Sequence, residues 1–424
     1  TAATPTFTKD VAPILQRSCV SCHRAGQSAP MSLRTYEEVR PWARSIKTRV
    51  TTRSMPPWHI DRHVGIQDFK GDRSLPEKEI ATIAAWVDAG APQGNPAEMP
   101  PQRQFGDDDA WQIGKPDLVV RFPKYRVPAT GPDLFPNIIA ATGLKTDRYV
   151  KAIETRPADA KSRRVVHHAV TFMATEVPED APAVNPDVDL ATSQLIVEYA
   201  SGKNAEVYPE GSGVLLKAGD KARVSYHTHS YGEDTQMEIE LGMVLYPKGY
   251  VPKKIRWSKQ LAQPTAPLDI PPGTVARTDG YVMMHKPARI IAFQPHLHLL
   301  GTKQCLELIY PTEGAKAQTE VVNCVNFNNS WHLSYNYADD VQPLVPAGTM
   351  LHNIQWHDNT SANPRASDPR NWVGDGNRTV DEMGFFWLGW VEMTEEEYQQ
   401  ELAARKAKTA KPATTQQQQQ QQQQ

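Results

Sequence analysis

Residues 288–300 read ARIIAFQPHLHLL. The run is short and rich in β-branched and apolar residues, and turn-forming residues bound it, which is the pattern of a strand. His296 and His298 lie two residues apart. On a strand that spacing puts both imidazoles on one face, roughly 6–7 Å apart along the chain. Two rings so placed can converge on one metal ion. Similar runs precede it: KPDLVVRF (115–122), RYVKAIETRP (148–157), RVVHHAVTFM (164–173), KARVSYHTHS (221–230) and MEIELGMVLYP (237–247). Short strands separated by Gly, Pro and Asp turns predict β-sandwiches. The β region of about 280 residues exceeds one typical sandwich, so two are expected. The stretch 253–274 is read as their join.

Upstream the pattern is helical. FTKDVAPILQRSCVSCH (7–23), TYEEVRPWARSIKTRV (35–50) and LPEKEIATIAAWVDAGAP (75–92) carry apolar residues at helical intervals. The last has a proline near its start and a glycine stop. The proline-rich stretch 93–111 reads as a linker. At the other end, residues 394–424 read as a short helix followed by a glutamine tract that cannot bury a core and is expected to be disordered.

Composition narrows the function classes. The chain has 424 residues, 39% hydrophobic and 22% charged, so it can bury real cores. Its 46 basic and 48 acidic residues nearly cancel, which gives no support for nucleic acid or an anionic membrane as partner. No apolar run approaches the roughly 20 residues that span a bilayer.

Cys19-Val20-Ser21-Cys22-His23 has the spacing by which two thioethers fix a porphyrin while the adjacent histidine ligates its iron. One covalent haem c on Cys19, Cys22 and His23 is the expectation. A zinc site would need a second pair of ligands nearby, and none is evident. For the sixth iron ligand, TRSMPPWHID (52–61) and the residues just after it offer Met55, His59 and His63; Met55, on a stiff loop before two prolines, is favoured, with His59 next. A thioether ligand raises the haem potential, as suits electron transfer. The other two cysteines, Cys305 and Cys324, flank a strand-turn-strand stretch, and one disulfide closing a hairpin is expected. Haem attachment and a disulfide point to a periplasmic or extracellular protein. With no signal peptide evident, the numbering is read as starting at the mature end.

Thirteen histidines would give about 0.4 adjacent pairs and about 0.4 His-x-His pairs by chance. The β region has one adjacent pair, His167-His168, and two spaced pairs, His227/His229 and His296/His298. Adjacent residues of a regular strand face opposite ways, so His167 and His168 can share a metal only at a bulge or a strand end. Imidazole suits zinc, copper, iron and nickel alike. A thioether from Met383, which heads an apolar strand, would favour Cu(I). His285, His332, His352 and His357 have no partner at metal spacing and read as structural.

Two resemblances sharpen this. Residues 5–95, through SCVSCH (18–23), SMPPW (54–58) and IAAWVDAGAPQG (83–94), resemble small bacterial class I cytochromes c. Residues 115–392 resemble the copper type II, ascorbate-dependent monooxygenases, the family of the peptidylglycine α-hydroxylating and dopamine β-monooxygenases. The likeness runs in order through VVHHAVTF (165–172), YPEGSGVLLKAGDKARVSYHTHSYG (208–232), FQPHLHLLG (293–301), VPAGTMLHNIQWHDNTSANP (345–364) and GDGNRTVDEMGFFWLGW (374–390).

The resemblance implies a multidomain chain. A small all-α cytochrome c domain (1–98) and a linker (99–114) would precede two all-β, jelly-roll-like β-sandwich copper domains (115–262 and 263–392), with a tail at 393–424. It implies two copper ions. The electron-transfer copper would take His167, His168 and His227, with His229 as the alternative third ligand. The oxygen-binding copper would take His296, His298 and Met383. The implied reaction hydroxylates a C–H bond of a small organic substrate with O2. The fused haem, fed by an external electron donor, would replace ascorbate. Where the amidating enzyme has an arginine that clamps a carboxylate, this chain has Gln294, and Phe385, Phe386 and Trp387 follow the ligand methionine. A less charged substrate than a peptide is therefore expected. The rival expectations are a haem and copper electron-transfer protein without hydroxylase activity, a copper-binding scaffold, and a cytochrome joined to a metal-free binding module.

Overall fold

The computed structural model describes residues 3–409 apart from 28, 107–109, 175–176, 178–180, 185–193, 201–204, 313–317 and 377. Strand is the commoner structure, arranged in several sheets. The chain divides into two compact units. One comprises Thr1–Asp61, Phe69–Gln260 and Val325–Tyr335. The other comprises Arg62–Asp68, Leu261–Cys324 and Asn336–Gln424.

The first unit opens with helices. A π-turn at Phe7–Val11 leads into Ala12–Ser18, which ends where Cys19 begins. The periodic stretch 35–50 is interrupted. Tyr36–Val39 is closed at its start by a reciprocal cap between Thr35 and Glu38, and a 3-10 turn at Arg40–Trp42 then precedes Ala43–Thr51. Pro41 explains the break, since its ring cannot sit inside a regular helix. Glu77–Asp88 starts after Pro76 and stops before Gly90, whose φ of 88° is the left-handed conformation that ends helices. Ile80, Ile83 and Trp86 face inward and join Phe7, Leu15, Val39, Ile46 and Val50 in one apolar core.

Two larger sheets and the short antiparallel pair Tyr125–Val127 with Thr235–Met237 make up the β part of this unit among the described residues. One orders Leu118–Arg121, Ile239–Leu245, Arg148–Pro157, Ser212–Leu216 and Lys254–Leu261. The other orders Asn137–Ala141, Lys221–Thr228, Val166–Ala174 and Gln194–Ala200. Val150, Ile153 and Leu241 from the first share a core with Ile138, Ala169, Met173 and Val224 from the second. That is the layering of a sandwich. Lys254–Leu261 lies within the stretch read as a join. Its inward residues are Arg256, ion-paired with Glu206 at 2.8 Å, and Ser258, so the usual apolar alternation is missing. The distal end of the proline-rich stretch is anchored: the buried Glu154 accepts the N–H groups of Gln112 (2.6 Å) and Ile113 (3.2 Å).

In the second unit, Val275–Met283, Met350–Asp358, Gly301–Tyr310 and Gln318–Asn326 form one antiparallel sheet. Ala288–Leu297 pairs antiparallel with Gly384–Glu392. The expected disulfide is present: Cys305 and Cys324 join the neighbouring strands Gly301–Tyr310 and Gln318–Asn326. Gly384 is required where the layers meet, because a Cβ there would lie 1.7 Å from the Gln355 side chain. The helix Glu395–Thr409 follows, and the glutamine tract lies outside the described residues. Among the described residues no helix is long and apolar enough to cross a membrane.

Candidate metal centres

The adjacent pair His167-His168 sits at a break in β pairing. Val166 pairs with Thr228 and His168 with His227, so His167 is an extra residue with no counterpart on the facing strand. That is a β-bulge, and it turns His167 toward the side occupied by His168. The nitrogens of His167, His168 and His227 come within 4.8 Å of one another. Ring centroids are 5.6 Å apart for His167–His168, 4.9 Å for His167–His227 and 5.1 Å for His168–His227.

Neighbours orient these rings. His227 Nε2 lies 2.6 Å from Asp133 Oδ2, and Phe135 stacks on the His227 ring at 4.5 Å. Burial, followed by the nearby His227 and His229, lowers the His167 pKa to about 4. His167 is therefore neutral at ordinary pH, the form that can ligate a metal. His229 is also lowered, mainly by burial, with Asp133 opposing. Trp331, which no sequence pattern singles out, and His332, read from sequence as structural, complete the surroundings. The Trp331 ring lies 5.0 Å from His167, and the His332 ring lies 5.2 Å from His168. Both belong to the segment Val325–Tyr335, which returns to the first unit from far along the chain. No local spacing signals that return.

A cavity of about 430 Å³ lies in the same unit. Cys19, Cys22, His23 and Met55 line it, with apolar walls from Leu15, Leu33, Ile46 and Val50. Val166, His167, His229 and Trp331 line it too. His23 Nδ1 lies 3.3 Å from the Met31 carbonyl, which leaves Nε2 as the coordinating atom. Burial lowers the His23 pKa and favours the neutral ring. The donor set and the apolar lining thus fit a covalently held haem. Of the three candidates for the sixth ligand, Met55 lines the cavity. The backbone of His59 is held elsewhere, with its N–H on the Tyr335 hydroxyl (3.2 Å) and its carbonyl accepting from Asn326 (2.8 Å).

The second unit holds the other group. His296 and His298 share one face of Ala288–Leu297 and its continuation, with ring centroids 5.4 Å apart. His296 pairs with Phe385 and Leu297 with Gly384. Directly opposed residues face the same side, and Met383 stands one residue past the last pair, as His298 does. Phe385 stacks on His296 at 4.3 Å. By the same alternation Gln294 and Trp387 lie on this face, whereas Phe386 lies on the other and packs against Phe293 at 5.5 Å. Only Phe385 and Trp387 of the aromatic trio can therefore face a molecule bound there. His298 Nδ1 lies 3.0 Å from the Asp381 carbonyl, which reserves Nε2 for a metal.

Of the four histidines read as structural, His352 and His357 have polar partners. His352 sits between Glu307 and Asp279, each at 2.7 Å. His357 Nε2 lies 3.1 Å from the Thr278 hydroxyl.

No family model matches the chain, and no curated protein matches it. Among solved structures it is similar to that of broad bean stain virus, at 10% identity over 68% of this chain and 93% of that one, with a TM-score of 0.25. It is also similar to the infectious bursal disease virus VP2 subviral particle, at 8% identity over 68% and 74% of the two chains, with a TM-score of 0.19. Nothing is inferred from likenesses this weak.

Proposed function

We propose that the chain is an exported copper-dependent monooxygenase that hydroxylates a C–H bond of a small organic substrate, with a fused class I cytochrome c domain as its electron entry point. The two β portions would be the copper-binding sandwiches. One observation carries the reading: in one unit, a three-histidine cluster built on a β-bulge borders an apolar cavity lined by Cys19, Cys22, His23 and Met55. A bulge that turns adjacent histidines to one side has an evident use in metal binding.

The overall change would be R–H + O2 + 2 e⁻ + 2 H⁺ → R–OH + H2O, with both electrons drawn from an external one-electron donor. When bound, the haem and the copper of the first unit would supply one-electron transfer, and the copper of the second unit would supply oxygen activation. The chain's own residues set up each role. Cys19 and Cys22 would tether the haem, and His23 and Met55 would supply its iron ligands. His167, His168 and His227 would hold the first copper, and His167 also lines the cavity, with the Trp331 ring 5.0 Å away. His296 and His298 would hold the second copper with Met383, whose soft sulfur would favour Cu(I). Phe385 and Trp387 offer an apolar flank to substrate, which suits an aromatic or aliphatic molecule better than a peptide carboxylate. The Cys305–Cys324 disulfide supports an oxidising compartment, periplasmic or extracellular.

A pure electron-transfer role is the second reading, because the shared cavity wall would serve it equally well. Metal analysis after copper loading and dialysis, combined with oxygen uptake under reductant, separates the two. The expected result is about two coppers per iron, from one haem and two copper sites, with oxygen uptake that rises on adding an aromatic or aliphatic substrate. Copper without oxygen uptake would favour electron transfer alone. A copper-to-iron ratio near zero would refute both readings.

A further inference from the structure

The antiparallel ladder between Ala288–Leu297 and Gly384–Glu392 ends just where His298 and Met383 stand. An ending ladder leaves N–H groups without strand partners, and buried ones need acceptors. Here one side chain supplies them. Glu382 is fully buried. Its Oε1 accepts the N–H groups of His298 and of Met383, the latter at 2.9 Å, and its Oε2 accepts the Leu300 N–H at 2.9 Å. Its own backbone is fixed as well: its N–H donates to Gly374 (2.9 Å) and its carbonyl accepts from Gly376 (3.2 Å). The carboxylate thus joins the backbones that carry the imidazole of His298 and the thioether of Met383. One residue earlier, the Asp381 carbonyl faces His298 Nδ1.

We infer that Glu382 is a positioning residue that presets the distance between His298 and Met383, so that the nitrogen and sulfur donors are in place before copper arrives. Gln304, also fully buried, does the same for His296. Its Oε1 accepts the His296 N–H at 2.9 Å, and its Nε2 donates to the Phe385 carbonyl at 2.7 Å. This inference rests on the reading of His296, His298 and Met383 as a copper site. Neither Glu382 nor Gln304 touches the metal. They act through the backbones of the residues that do. Glutamine at 382 would keep the size but lose one acceptor oxygen, and its amide group would face an N–H donor.

The test uses the full-length, haem-loaded protein and Cu(I) titrated against bicinchoninate, for the wild type, Glu382→Gln and Met383→Ala. Glu382→Gln is expected to weaken Cu(I) binding at the second-unit site by 10- to 100-fold, the usual effect of losing a group that orients metal ligands. The copper–sulfur component of the X-ray absorption spectrum should fade as it does in Met383→Ala, while the histidine cluster of the first unit keeps its affinity. Unchanged affinity together with an unchanged copper–sulfur signal in Glu382→Gln would overturn the inference alone. A wild type that takes up no copper at this site would overturn the functional reading instead. If Glu382→Gln fails to fold, amide exchange of the wild type decides. Preset geometry requires the His298, Leu300 and Met383 amides to be slow to exchange in the copper-free protein. Fast exchange that slows only when copper is added would overturn the inference.

Discussion

His167 is the extra residue of a bulge, and that alone lets two adjacent histidines and a cross-strand third come within ligand distance. Without the bulge, His167 and His168 would face opposite sides of the sheet. His167→Ala is expected to remove one copper per chain while leaving the haem spectrum intact, as read by metal analysis and visible absorption. Full copper retention would contradict the three-histidine assignment. Trp331 has a different role. It borders both the cavity and the His167 ring and offers no metal ligand. Trp331→Leu is expected to leave the copper content unchanged and to slow haem reoxidation about tenfold, because an aromatic contact to His167 on the cavity wall is lost. Stopped-flow absorption at the haem bands checks this, and an unchanged rate would exclude Trp331 from the path.

The sheets of the second unit are held by polar staples as well as by apolar packing. His352 on Met350–Asp358 reaches Asp279 on one neighbouring strand and Glu307 on the other, each at 2.7 Å. Both ring nitrogens therefore face carboxylates, one on each neighbouring strand. Burial alone would raise Asp279, but Arg277 and His352 outweigh it and hold the carboxyl below its ordinary value of 3.8. The unfolded chain then binds a proton more readily than the folded one. The stabilisation is complete above pH 3.8 and is lost as pH falls through the lower folded value. Asp279→Asn is expected to cost about 1 kcal/mol at neutral pH. Below pH 3.8 its melting temperature should converge on that of the wild type, and parallel curves would contradict the staple. The disulfide joins residues 19 apart in sequence. Replacing both cysteines by serine is expected to cost about 3 kcal/mol on the loop-entropy estimate, measured by urea unfolding.

The strand runs, the helical opening and the hairpin disulfide were legible because each rests on local pattern: alternation, caps, and paired cysteines around a turn. Lys254–Leu261 was not legible as a strand, because its inward positions hold Arg256 and Ser258 and its partner is distant in sequence. Trp331 and His332 escaped for a related reason, since their segment leaves one unit to join the other. Glu382 gave no signal of its own, because an acidic residue in a polar stretch looks like surface until three buried N–H groups are seen around it. The candidate histidines themselves stood out by count and spacing, and the fold shows the means, a bulge and a shared strand face, by which each set comes together.

On the proposed function, a haem in the cavity bearing Cys19, Cys22, His23 and Met55 would pass electrons to the histidine cluster, of which His167 lines the cavity wall. The most direct measurement adds one reducing equivalent, without oxygen, to copper-loaded and to copper-free protein while following haem absorption and the Cu(II) resonance together. The reduced haem of the loaded protein is expected to reoxidise as the Cu(II) signal falls in step, and the haem of the copper-free protein to stay reduced. Haem that stays reduced beside bound Cu(II) would contradict that transfer.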